Sequence, residues 1–238
     1  RMDMTTARRG TKVPARWRLL VCSLALLASC SQQPLTAADA HADMPVPTRA
    51  SHSSFSRTSA DGVEIPLRLE LKAEVPAELG DVLAFYRTEL GKRGWQEKPD
   101  GAVVTADRAL LVFASPKGPG TLMLGRAKDR AKGETTINLV QRNTEAAAKA
   151  NFLPMPGQAR LIFGYLVPDV ASLAINDQII KIAGGLNHPQ TLDLPPGTYS
   201  YALHVSGHLV RSDTITLAAD QAWFLKLRDG DGESNQIY

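Results

Sequence analysis

Val63-Glu64-Ile65-Pro66-Leu67-Arg68-Leu69-Glu70-Leu71-Lys72-Ala73-Glu74-Val75 runs directly into Pro76. Apolar side chains at every odd position alternate with polar ones, a period of two that sets one face of a strand on a core and the other in water. Pro66 cannot donate to a ladder, so an edge position is expected for it. Pro76 then opens a helix at a favoured early position. Leu79, Val82, Leu83, Tyr86 and Leu90 recur at three- and four-residue steps until Gly94 stops it. Such an amphipathic helix must pack on the sheet.

Downstream, Trp95 is followed by three apolar segments: Val103 to Ala106 or on to Phe113, Thr121 to Leu124, and Thr135 to Val140. Turn signals separate them at Pro99-Asp100-Gly101, Pro116-Lys117-Gly118-Pro119-Gly120 and Lys132-Gly133. One strand, one helix and then strands without intervening helices predict an α+β domain over residues 61–143, an antiparallel sheet with one packed helix. Asn143-Thr144-Glu145-Ala146-Ala147-Ala148-Lys149 starts like a capped short helix, which Leu153-Pro154-Met155-Pro156-Gly157 ends. Residues 144–157 are therefore expected to link two domains. Short apolar runs follow at Arg160 to Tyr165, Leu173 to Ile175, Gln178 to Ile182, Thr198 to Val205, Leu209 to Leu217 and Ala222 to Leu227. With Asn176-Asp177, Leu194-Pro195-Pro196-Gly197 and Ser206-Gly207 between them, they predict an all-β sandwich over residues 158–238.

Upstream, residues 30–60 carry Pro34, Pro45 and Pro47, repeated Ser, Thr and Ala, and isolated large apolar residues such as Met44 and Phe55. Such a stretch is expected to bury too little apolar surface to offset its ordering entropy, and reads as a flexible tether. His41 and His52 within it read as solvated, since no Cys, His or carboxylate cluster stands with them.

The N-terminus carries an address. Arg8, Arg9, Lys12, Arg16 and Arg18 face Asp3 alone, and the apolar run Leu19 to Ser29 has the length of a signal-peptide core rather than the roughly 20 residues of a membrane span. Leu27-Ala28-Ser29-Cys30 resembles the lipobox of bacterial lipoproteins. The resemblance implies cleavage after a signal peptide of residues 1–29, diacylglycerol on the Cys30 sulfur and acylation of the freed amine. Several chains together give a lasting anchor where one holds only marginally. Ser31 rather than Asp after the cysteine implies, by the same resemblance, the periplasmic side of the outer membrane in a Gram-negative cell.

Cleavage changes the charge balance. Residues 1–29 hold six of the 27 basic side chains and one of the 24 acidic, leaving 21 against 23. A mature chain this near neutrality gives no basis for a nucleic-acid partner, which requires clustered Lys and Arg. Cys22 leaves with the signal and Cys30 is taken by lipid, so no disulfide is available.

A second resemblance rests on Ile175-Asn176-Asp177, Asp193-Leu194-Pro195-Pro196-Gly197-Thr198-Tyr199 and Ser206-Gly207-His208, a pattern similar to PEGA-like and carboxypeptidase-regulatory-like sandwiches. It covers residues 160 to 228 and implies a domain that binds or spaces without catalysis. The chain departs from the pattern at Asp177, where Gly is usual, and at Gly184-Gly185-Leu186-Asn187-His188-Pro189, which is longer than the family's Gly-x-x-Pro.

Catalytic signatures are sparse. The sequence contains no Gly-x-Ser-x-Gly elbow, phosphate loop or His-Glu-x-x-His. His204 and His208 are expected to project from opposite faces of a hairpin turning at Ser206-Gly207, rather than to share a metal. Asp229-Gly230-Asp231-Gly232-Glu233 has the alternating oxygens of a calcium loop, but Ser234 replaces the glycine of the sixth place, and a hairpin turn is expected. Lys92 and Arg93 with Trp95 suggest a contact patch, against which Glu89 and Arg93 read as an ordinary helix pair. Tyr199, Tyr201, Leu203 and Val205 share a strand face and read as core rather than as a carbohydrate platform. The expected function is that of a cell-envelope lipoprotein acting as a non-catalytic binding or scaffolding module. It needs no cofactor or metal, and its partners are the membrane through Cys30 and an envelope protein or glycan. The alternatives are a peptidoglycan-directed hydrolase or inhibitor-like factor, with Glu70 or Glu74 brought near Asp107, and an assembly factor for another envelope protein.

Overall fold

The computed structural model describes residues 33–127, 133–164, 171–182, 189–227 and 234–238. The alternating stretch forms strand β2 (Arg68–Val75), preceded by β1 (His52–Thr58) and followed by helix α1 (Leu79–Lys92). Four further strands, β3 (Gln96–Val104), β4 (Arg108–Ser115), β5 (Gly118–Arg126) and β6 (Thr135–Arg142), complete an antiparallel six-stranded sheet in the order β1-β2-β6-β5-β4-β3. Leu71, Ala73 and Val75 join Leu111, Phe113, Leu122, Leu124, Ile137 and Leu139 on one face. There they bury Val82, Leu83, Tyr86 and Leu90 of the helix. Gly94 ends α1 at φ +78°, with the Gly94 N–H on the Gly91 carbonyl and the Trp95 N–H on that of Leu90. This left-handed cap satisfies two of the helix's last carbonyls. Trp95 thereby turns into the core, edge-on to Phe113 at 5.9 Å between ring centroids.

The α+β expectation is met with three corrections. The strand starts at Arg68 rather than Val63, and Val63 and Ile65 pack instead against a separate cluster around Leu67. Pro66 lies before the strand, and β2 is not an edge because β1 pairs outside it from His52↔Glu74 to Thr58↔Arg68. The Pro99-Asp100-Gly101 turn is an irregularity within β3, whose register against β4 shifts between Lys98 and Val103.

Residues 34–60 are part of the fold rather than a tether. Met44 is 2% exposed in the helix–sheet core, with Leu35, Ala37 and Val46 packed beside it. Thr36 and Thr48 are hydrogen-bonded at 3.3 Å, and Ala37 bridges Pro47. Arg93 fixes this strap to α1. Its Nε donates to the Ala42 carbonyl at 2.6 Å, its Nη2 to those of Asp39 and Ala40, and its Nη1 to the Glu89 carboxylate at 2.6 Å. Composition missed the strap because a few apolar side chains suffice when a guanidinium also holds the backbone carbonyls around them.

The C-terminal half pairs β10 (Gln190–Leu194), β7 (Ala159–Gly164), β13 (Ala222–Lys226) and β14 (Asn235–Gln236) in one sheet. A second holds β12 (His208–Leu217), β11 (Gly197–Val205), β8 (Ala171–Ile175) and β9 (Gln178–Ile182). Leu161, Phe163, Leu173, Ile175, Leu194, Tyr201, Leu203 and Leu225 fill the space between them. Asn176 and Asp177 turn at φ 52° and 57°, so Asp177 adopts the left-handed conformation that a glycine takes most readily.

Helix α2 (Thr144–Lys149) is capped by the Asn143 side chain, which accepts from the Ala146 N–H at 3.0 Å. Ala146 and Ala147 are fully buried with Leu67, Ile162, Ala222, Ile237 and Tyr238 in a third apolar cluster. The Arg142 guanidinium sits 5.1 Å over the Tyr238 ring and donates to the Asp220 carbonyl at 2.6 Å. Residues 144–157 are therefore wedged between the two cores rather than free between two bodies, and residues 34–238 form one compact unit.

Candidate functional site

Helix α1 and the strap cover one face of the six-stranded sheet. The opposite face follows from register. One row across it reads Val103, Leu110, Met123, Asn138, Lys72 and Ser54, and the next reads Lys98, Val112, Thr121, Val140, Glu70 and Ser56. Its two halves differ in chemistry. Around β4 it is largely apolar: Met123 is 48% and Val103 43% exposed, and Leu110, Val112 and Ala114 are half-buried, with Lys98 and Thr121 flanking Val112. On β2 it is charged. Glu70 accepts from Arg68 at 3.1 Å and from the Asn138 amide at 2.9 Å, with Lys72 at 3.7 Å. Burial pushes the Glu70 carboxyl up, but Arg68, Asn138 and Lys72 together hold it below its usual value of 4.5. A groove of about 610 Å³ crosses the polar half, lined among others by His52, Ser54, Lys72, Glu74, Met123, Thr136 and Asn138.

The face arises from β4, whose core Ala109-Leu110-Leu111-Val112-Phe113-Ala114 is apolar on both sides. Such a strand is ordinarily buried on both faces. Here Ala109, Leu111 and Phe113 are buried, while Leu110, Val112 and Ala114 face outward on the side away from α1. In the sequence these residues carry no mark beyond the unbroken apolar run.

The acidic residues named as catalytic candidates do not converge. Glu70 and Glu74 lie four residues apart on one strand, about 13 Å. Asp107, 84% exposed by its side chain, precedes Arg108, which is separated from Glu74 along its row by Gly125 and Thr136. Three strand spacings set those backbone positions about 14 Å apart, and the Asp107 carboxylate lies 3.9 Å from the Arg126 guanidinium. His204 pairs with Leu209 and Val205 with His208, so the two histidines point to opposite faces. His52 begins β1, and the His41 N–H donates to the Asp39 side chain at 2.8 Å. Among the described residues, no three His, Cys, Asp or Glu side chains gather to hold a metal ion, and no helix is long and apolar enough to cross a membrane. Trp95 is buried and Arg93 is engaged by the strap, so neither offers a contact patch. Tyr201 and Leu203 are core residues, with Tyr199 and Val205 packed at its margin. Cys30 and Asp229 to Glu233 lie outside the described residues.

No protein-family model matches the chain, and no curated protein matches it either.

Proposed function

We propose that this protein is a cell-envelope lipoprotein, anchored through Cys30, that acts as a non-catalytic binding module and docks an envelope component on the bare face of its six-stranded sheet. The observation that carries the reading is the outward apolar patch of Val103, Leu110, Val112 and Met123, beside the Arg68-Glu70-Lys72 charges. Contiguous exposed apolar surface rimmed by polar groups marks interaction sites, and β4 has the composition of a strand covered twice. The basic segment, short apolar run and Leu-Ala-Ser-Cys box support the anchor. The membrane is then one partner and the docked protein or glycan the other.

A photoreactive side chain at Leu110 or Met123, in the protein on intact cells, tests the face. The expected result is one reproducible adduct from either position and none from Thr216, which is exposed on the outer face of the sandwich. Capture should also be lost when Leu110→Glu is combined with the label at Met123. Equal capture at Thr216, or none at either sheet position, would contradict the assignment.

A further inference from the structure

A sheet edge presents unpaired N–H and C=O groups, which proteins blunt with proline, bulges, inward-pointing charge or brevity. Most edges here are blunted. β3 carries Pro99, Lys98, Asp100 and a register shift. β12 shifts register opposite Leu203 and His204, and it sets Arg211 and Asp213 opposite Leu203 and Tyr201 on the core side. β9 and β10 have five residues each and β14 two. β1 differs. Its seven residues keep unbroken register with β2, contain no proline and are exposed from His52 to Arg57; their one Lys, Arg, Asp or Glu is Arg57, on the helix side opposite Leu69 but next to the end of the strand. Phe55, the middle residue, is 54% exposed on the helix side of the sheet.

We propose that β1 pairs antiparallel with β1 of a second copy about Phe55, joining the two six-stranded sheets into one. A two-fold contact is self-complementary by construction, and the position of Phe55 satisfies it. The midpoint register is the one in which all seven residues pair, and it lays each exposed ring against its copy. Ser54 meets Ser56 of the second copy, and Ser53 meets Arg57, so the two Arg57 guanidiniums stay apart. A register centred on Ser56 instead sets Arg57 against Phe55. A symmetric apolar midpoint favours a second copy over an unrelated extended segment.

Cysteine cross-linking of the intact protein reads the register. Residues directly opposite across an antiparallel pair stand at Cα separations of about 4.5 to 5.5 Å, within disulfide range. Phe55→Cys is expected to give an oxidised dimer well above the unsubstituted background. Ser53→Cys gives none, since it stands about 13 Å along the strand from its own copy, and Ser53→Cys with Arg57→Cys restores the cross-link. Substitutions on the outward face then test the pairing without altering Phe55. Ser54→Lys with Ser56→Lys sets like charges opposite each other twice, and should raise the dimer dissociation constant about fivefold or more over Ser54→Lys with Ser56→Glu. A monomer at every attainable concentration with no Phe55→Cys dimer would overturn the proposal. So would equal cross-linking at 53 and 55, or capture of a different protein at Phe55 in place of a second copy.

Discussion

Arg93 is the residue on which the N-terminal strap turns. With its side chain 12% exposed, it bonds the Glu89 carboxylate and the carbonyls of Asp39, Ala40 and Ala42. Arg93→Ala strips those carbonyls of their donor and should cost about 2 to 4 kcal/mol in urea denaturation. Proteolysis should then accelerate within residues 34–50. Arg93→Lys should not rescue, because one ammonium cannot reproduce the fork. Glu89 supplies a pH dependence. Hydrogen bonds from Lys92 and Arg93 hold its carboxyl below the usual 4.5. A depressed carboxylate contributes stability in full above its unfolded value and loses it as pH falls through the folded one. Stability should therefore decline from about pH 4.5 downward, and Glu89→Gln should flatten that part of the profile. Tyr86 offers the opposite case. Its buried hydroxyl has no partner among the described residues, and burial pushes its ionisation far up. Tyr86→Phe should be neutral or stabilise by up to about 1 kcal/mol in thermal melts.

Among elements, α1 and the sheet beneath it respond to glycine replacement in opposite senses. A methyl at Gly80 or Gly91 meets nothing within 4 Å among the described residues. Gly80→Ala and Gly91→Ala should each stabilise the helix by about 0.5 to 1 kcal/mol. A methyl at Gly120 of β5 would run into the Trp95 indole, with Cε3 at 2.9 Å. Gly120→Ala should destabilise by about 1 to 3 kcal/mol, and equal melts for Gly120→Ala and the unsubstituted protein would refute that packing. The same elements bound what the sequence disclosed. The period of two from Leu67 to Val75 and the helical spacing from Leu79 to Leu90 were legible because a single face repeats in each. β1 was not, since His-Ser-Ser-Phe-Ser-Arg-Thr holds one large apolar residue and its strand conformation comes from the ladder that β2 offers it. β10 was hidden for a related reason: Gln190 to Leu194 abuts Pro195-Pro196, which reads as a turn. The candidate face escaped notice because an apolar run on β4 does not say which of its sides lacks a covering layer.

At the scale of the molecule, the third cluster of Leu67, Ala146, Ala147, Ile162, Ala222, Ile237 and Tyr238 ties the helix–sheet core to the sandwich. Trp95 reports on the first and Trp223 on the second. Their fluorescence should therefore change in one shared unfolding transition. Ile162→Ala, at a fully buried position, should cost about 2 to 5 kcal/mol and begin to separate the two signals. The bare sheet face and the β1 edge both belong to the six-stranded half and meet at Ser54 and Ser56, with docking centred on β4 and self-pairing along β1. Their setting in the envelope depends on Cys30. Mass spectrometry of the protein extracted from its native membranes decides this most directly. The predicted result is a chain beginning at Cys30 and carrying diacylglycerol on sulfur and an acyl group on the amine. An uncleaved N-terminus, or a Cys30 free of lipid, would contradict it.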